Sequence, residues 1–181
     1  MKSLLSIILV GVIALTLAGC KTVLPNPASS DSTLVLAPFA ADSAAKSSGA
    51  WMYEYVLNHD LKKTIRFNPL RIKGSFSVVS DLPEGEYTVT GLQSVANSKG
   101  RTRAIGEGDY YPFDKSEYVS FIVKAGEITV VPAIFTMTKV KENRELSYIY
   151  PDYSPLDDAE FEAFQAEVTE LEGYDSWVNQ G

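Results

Sequence analysis

One cysteine, Cys20, and one histidine, His59, are all that the 181 residues hold of the two side chains most used for metal binding and nucleophilic catalysis. A single cysteine excludes an intrachain disulfide, so the fold must be held by its core. It also leaves a zinc site without its usual ligand set. His59, in "LNHDLKK", stands beside Asp60 in a polar turn, and no G-x-S-x-G supplies a nucleophile elbow for it. It reads as a turn residue. "GEGDYYPFD" lacks the strand-to-helix context that a dinucleotide fingerprint requires. The net charge is −7, which argues against a nucleic-acid partner. No lysine or arginine follows Arg144, whereas Glu145 to Gly181 holds ten acidic residues. Neither catalytic residues nor a metal or cofactor is assigned from the sequence.

What is abundant comes first in the chain. Lys2 is followed by a run from Leu4 to Ala18 without charge, and the next charged residue is Lys21. A membrane-crossing helix needs about 20 apolar residues, whereas the apolar region of a secretory signal uses roughly 7 to 15 before small residues at the cut. The run would serve either, an uncleaved anchor being the alternative. Its end, Leu17-Ala18-Gly19-Cys20, resembles the lipobox of bacterial lipoproteins. The resemblance implies cleavage between Gly19 and Cys20 and acylation of the Cys20 thiol. It implies a mature chain fixed to the bilayer by three acyl chains, each buried methylene contributing about 0.8 kcal/mol. In such lipoproteins an aspartate after the cysteine favours inner-membrane retention. Lys21 stands there instead, so the expectation is the outer membrane with the domain facing the periplasm, surface exposure being the alternative.

Without residues 1–19 the chain keeps 15 basic and 23 acidic side chains, formally −8, over a length suited to one domain. "KTVLPNPASSDS" places Pro25, Pro27 and a Ser/Asp cluster between the cysteine and the first strand. It reads as an extended tether, residues 20–32 in all, spanning at most about 40 Å.

From residue 33 to about 140 the hydrophobic period is two. "TLVLAPF" opens with an apolar run. "WMYEYVLN" sets Trp51, Tyr53, Tyr55 and Leu57 on one strand face, and "TIRFNPLRI" alternates Ile65 and Phe67 against Thr64 and Arg66. "DLPEGE" separates an apolar strand from one in which Tyr87, Val89 and Gly91 alternate with Thr88 and Thr90, a pattern expected of a hairpin. "YVSFIVKAGEITVVPAIF" reads as a second hairpin with its turn at Lys124 to Glu127, and Pro132 marks an edge or a bulge.

About seven such strands predict an antiparallel β-sandwich over 33–150. The phrases "SVVSDLPEGEYTVTGL" and "VSFIVKAGEITVVPAIF" are similar to strand-turn-strand units of prealbumin-like domains, among them the carboxypeptidase regulatory-like modules. That resemblance covers roughly residues 33 to 140. It implies a buried Tyr87, a turn held by Gly85, and an adhesive, structural or assembly role.

Phe161, Phe164, Val168 and Leu171 recur at helical spacing in the last part, 151–181. The expected helix has Ser154 as N-cap, Pro155 in its first turn and Gly173 as its stop, with Asp157, Asp158 and Glu160 favoured near its N-terminus. It either packs its apolar face on the sandwich or docks, as a detachable acidic helix, on a basic partner. Lys62, Lys63, Arg66, Arg71 and Lys73 form a basic block that this acidic helix would cover by charge attraction, the alternative being contact with anionic headgroups.

The connection from Ala96 to Glu117 is long enough to be functional or to hide a strand. It carries Lys99, Arg101 and Arg103, then Tyr110, Tyr111 and Phe113. Cationic and aromatic side chains together suit protein or sugar contact. Arg101, Arg103, Tyr110 and Tyr111 are therefore the candidate partner residues, and an edge strand over Arg101 to Ile105 with the aromatics capping the sandwich is the competing reading. Asp109 and Asp114 are weaker candidates, for calcium, at a spacing unlike an EF-hand.

The expected function is that of a non-enzymatic lipoprotein of the bacterial cell envelope, a binding or assembly module with an envelope protein as partner. A carboxylate-dependent envelope hydrolase or hydrolase accessory is the alternative, with no two carboxylates singled out for it.

Overall fold

Strands buried on both faces are apolar throughout, and strands buried on one face alternate. The first kind is β1 (Leu34–Ala41), whose Leu34, Val35, Leu36 and Ala37 are all fully buried. The second is typified by β3 (Asp60–Phe67), where buried Ile65 and Phe67 flank exposed Arg66. The computed structural model describes residues 22–41, 51–68, 72, 74–96, 110–141 and 147–178. Its other strands are β2 (Trp51–Leu57), β4 (Phe76–Ser80), β5 (Gly85–Ala96), β6 (Tyr110–Pro112), β7 (Val119–Val123), β8 (Ile128–Val130), β9 (Ala133–Lys141) and β10 (Ser147–Pro155). Two helices, α1 (Asp158–Thr169) and α2 (Asp175–Val178), follow them. The chain is mainly β, in two five-stranded sheets.

Sheet 1 runs β10-β9-β1-β4, with β8 on β1 in line with β9, and sheet 2 runs β3-β2-β5, with β6 and β7 both on β5. The pairings of β1 with β8 and β9 are parallel and the others antiparallel. Between the sheets lies an aromatic core. Phe135 meets Phe39, Tyr53, Tyr55 and Phe67 at ring separations of 6.1, 5.6, 5.9 and 4.5 Å. A second apolar cluster covers the opposite face of sheet 1, where Leu34, Leu36, Phe76 and Val130 meet Leu24, Val168, Leu171 and Trp177.

Pro132 marks a bulge, as the sequence allowed. Leu36 pairs with Val130 and Phe39 with Phe135, so two extra residues sit on the β8–β9 side. Pro38, in the centre of a sheet, directs its missing donor at this interruption and costs the ladder nothing. A second bulge lies in β5, where Val56 pairs with Gly91 but Leu57 with Val89. It ends the expected alternation. Gly91 turns to the outer face, Leu92 takes the core position, and Thr90 is the extra residue.

Two expected hairpins are crossings between sheets. The "DLPEGE" turn leads from β4 in sheet 1 to β5 in sheet 2, and Lys124 to Glu127 leads from β7 in sheet 2 back to β8 in sheet 1. A turn signal specifies a reversal, and it does not specify whether the strands it joins pair or face one another. The two turns are tied together by the Ala125 N–H donating to Glu84 Oε1 at 2.7 Å. Tyr87 is buried and its hydroxyl donates to the Pro83 carbonyl at 2.8 Å, locking the first turn from below. The tight hairpin is instead β2–β3, where Asn58 and His59 both adopt positive φ, at 52° and 59°.

The segment read as an extended tether makes contact with the domain from residue 22 onward. Thr22 and Leu24 are buried, the Leu24 N–H donates to the Glu172 carbonyl at 2.9 Å, and Ser32 closes a turn on Ser29. Leu24 has an apolar surface to bury, which the Pro/Ser composition around it concealed. The helix also starts later than its spacing suggested. Ser154 and Pro155 still belong to β10, and the N-cap is Asp157, which exchanges a capping box with Glu160.

Candidate functional site

The groove that the fold leaves open lies between β8 and the two helices, with a volume of about 460 Å³. Each wall has a local cause. Helix α1 is oriented by its capping box, the Glu160 N–H donating to Asp157 Oδ1 at 2.8 Å and the Asp157 N–H to Glu160 Oε2 at 3.1 Å. Phe164 then packs edge-on against Phe76 of β4, at 5.6 Å and 73°. At Gly173 the chain turns back with φ +94°, where an added Cβ would lie 2.8 Å from the Leu24 carbonyl oxygen. Only glycine meets both demands. That turn delivers α2, whose Trp177 is buried and donates from Nε1 to the Pro25 carbonyl at 2.8 Å.

Ile128, Val130, Val168 and Trp177 give the groove an apolar floor, and Gln165 and Thr169 a polar rim. Glu127 is the carboxylate in the lining, and Lys124 pairs with it at 3.5 Å. Val178, at the mouth, is 59 % exposed. The strand edge adds main-chain groups. The Leu34 N–H donates to the Glu127 carbonyl and the Val131 N–H to the Leu36 carbonyl, so residues 127, 129 and 131 turn their polar groups towards β1. Ile128 and Val130 turn theirs away from β1, towards the open side. Such a lining can hold an extended or apolar ligand by contact and by main-chain hydrogen bonds.

None of the candidate partner or metal residues within the described part lines the groove. Gly19, Cys20, Lys99, Arg101, Arg103 and Asp109 fall outside the described residues, as do Arg71 and Lys73 and the edge strand considered for Arg101 to Ile105. Tyr110 and Tyr111 form β6 on the edge of sheet 2. The Tyr110 ring lies across Gly91, where a Cβ would strike it, and its hydroxyl donates to the Thr90 carbonyl at 3.1 Å. The Phe113 N–H takes the same carbonyl at 3.0 Å, so the acceptor freed by the bulge is doubly used. Phe113 stacks on Tyr153 at 4.3 Å. Tyr110 and Phe113 thus cap the sheet edge, while Tyr111 is 47 % exposed. Asp114 is part of a 3₁₀-turn cap, its N–H donating to Glu117 Oε2 at 2.8 Å. Among the described residues no three of His, Cys, Asp and Glu come together as a metal site would need, and no helix is long and apolar enough to cross a membrane.

His59 is exposed, with Nε2 3.4 Å from the Tyr118 hydroxyl. Glu54 is buried on the outer face of sheet 2, where Arg66 Nε and Gln93 Nε2 donate to its two oxygens at 2.5 and 2.6 Å. The expected electrostatic clasp is not what seats the C-terminal helix. Lys62, Lys63 and Arg66 belong to sheet 2, whereas α1 lies on sheet 1 through Phe161, Phe164 and Val168. Arg66 is matched within its own sheet by Glu54.

The groove-lining residues were not found from the sequence. A signal for them exists: β1 is apolar on both faces, which requires a third layer over sheet 1. Burial raises several tyrosine pKa values. Tyr53 is pushed up to about 12 by desolvation and then by Tyr111, and Tyr55 and Tyr153 are also raised, chiefly by desolvation. All three belong to the region between the sheets or its rim, away from the groove. Comparison of the chain with protein-family models, with curated proteins and with solved structures yields no match.

Proposed function

We propose that this chain is a non-enzymatic binding or assembly module of the bacterial cell envelope, held at the outer membrane by an acylated Cys20 and facing the periplasm. Its ligand is an envelope protein, and its sandwich is of the prealbumin-like kind. The observation that carries the reading is the sharing of one side chain between the N-terminal segment and the groove. Trp177 lines the groove and also grips the Pro25 carbonyl, five residues after Cys20. Lipid attachment and ligand capture would then act on one rigid layer. The prealbumin-like reading is supported by the two phrases that suggested it, each of which makes a turn from one sheet to the other.

Two measurements test this. Mass spectrometry of the purified protein should find an acylated N-terminal Cys20, and Cys20→Ala should leave the precursor unprocessed; a variant that matures to the same size overturns the anchor. A photoreactive residue at Val178, in intact cells, should trap one defined envelope protein, with Tyr111 as a second position to compare. Recovery of monomer alone from both positions overturns the binding role.

A further inference from the structure

We infer that the open edge of β8 receives an extended segment of a partner protein, alternating apolar and basic side chains, as an added strand. The inference rests on reading the groove as the binding site, and it names how the ligand is held. Strand addition needs a row of unused main-chain donors and acceptors beside a channel wide enough for a chain. Ile128 and Val130 supply that row, with one N–H and one C=O each directed away from β1, and no described strand pairs with them on that side.

The fold shows why the row is open. β10 runs antiparallel along β9 as far as Pro155 opposite Ala133, and the next four or five residues on that line would lie along β8. The chain leaves the line there. The Leu156 N–H makes one last bond, to the Pro132 carbonyl at 3.1 Å, and Asp157 caps α1. The groove therefore contains a strand track that β10 vacates. Ile128-Thr129-Val130 carries neither charge nor proline, as is true of the edges β4 and β7, whereas β3 is guarded by Lys62 and Lys63 and β6 by Pro112.

Side-chain preference follows from the walls. Ile128, Val130, Val168 and Trp177 take apolar residues from one face of the added strand. The β8 side of the rim is balanced, Glu127 being paired with Lys124, whereas the helix side is acidic: exposed Glu162 continues the stripe of Gln165 and Thr169 beyond the lining, and no basic residue follows Arg144. Residues on the other face of the strand should be lysine or arginine.

The probe is a fluorescein-labelled heptapeptide alternating lysine and valine, titrated into the protein as purified from cells, in detergent, and read by anisotropy. Saturable binding is expected, at least tenfold weaker for the peptide alternating glutamate and valine. Ile128→Pro removes an N–H that β1 does not use, so it should weaken the lysine–valine peptide at least tenfold with an unchanged near-UV spectrum. If that variant does not fold, lysine–valine peptides N-methylated on one or the other set of alternate residues replace it. One of the two should lose binding and the other retain it. Equal binding to wild type and Ile128→Pro, or by both methylated peptides, overturns strand addition while leaving the groove reading intact. Equal binding of the acidic peptide overturns the charge preference. Self-association that Ile128→Pro abolishes, with no peptide bound, would make a second copy the occupant and overturn the proposal. A partner trapped at Val178 in cells with no peptide binding in vitro overturns the peptide chemistry but not the binding role.

Discussion

Sheet 1 and sheet 2 share one aromatic core but differ on their outer faces. Sheet 1 presents Leu34, Leu36, Phe76 and Val130 outward and is roofed by residues 22–25 and the two helices. Sheet 2 presents Glu54, Arg66 and Gln93 outward and needs only the Tyr110 ring across Gly91. A sheet with a polar outer face is complete when its core is complete. A sheet that is apolar on both faces needs a further layer, and the layer supplied here buries Val130 of β8 but covers Ile128 only in part. The groove is the unfinished margin of that roof.

The comparison is broken most severely from inside. Phe135→Ala removes the ring that touches four others between the sheets and should cost about 3–5 kcal/mol, read as a lower urea midpoint for the whole domain. Trp177→Ala acts on the roof alone and should cost about 3 kcal/mol. Its signature is local: faster hydrogen exchange in 158–178 and in 22–25, with the β2 and β5 amides unchanged. Uniformly faster exchange would show that roof and core are one cooperative unit.

Alkali should attack the shared core and spare the roof. A tyrosine kept neutral by burial stabilises the fold fully below its ordinary pKa near 10. The contribution is lost as pH rises through the folded value, about 12 for Tyr53, with Tyr55 and Tyr153 raised in the same direction. Stability should fall above pH 10, with these tyrosines ionising only as the domain unfolds, seen in absorbance near 295 nm. Smaller still is Tyr55→Phe. The Tyr55 hydroxyl is fully buried and meets no hydrogen-bond partner among the described residues, so its removal should raise stability by about 1 kcal/mol in thermal melts. Last comes salt. Because α1 is seated by Phe161, Phe164 and Val168, about 1 M sodium chloride should leave its protection from proteolysis unchanged, and release of the helix would restore the charge clasp.

The strands were legible because burial on one face imposes a period of two, as in Ile65 and Phe67 against Arg66. Tyr87, Gly85 and Pro132 were legible because a turn or bulge restricts which residues fit. Pairing partners were less accessible. "DLPEGE" specifies a reversal of direction, and whether β4 and β5 then pair depends on β1 competing for β4, a long-range preference that no local window contains. The Thr90 bulge is hidden for a related reason, since its freed carbonyl is satisfied by Tyr110 and Phe113, some twenty residues away. The groove was the least visible element. Its walls come from residues 126–130 and 165–178, and the polar surroundings of Leu24 and Pro25 gave no sign that they would brace it.

That bracing changes how far an anchored domain can wander. A free tether of residues 21–32 would let the domain explore roughly 20 Å about its attachment point, by the random-coil scaling of flexible chains. With Thr22 already buried, two peptide links separate Cys20 from the folded surface, a reach of about 7 Å. Were Cys20 acylated as proposed, the accessible volume would shrink by more than an order of magnitude, and the effective concentration of the groove for a partner in the same membrane would rise in proportion. If β8 binds a strand as inferred, so short an edge would gain most from that confinement.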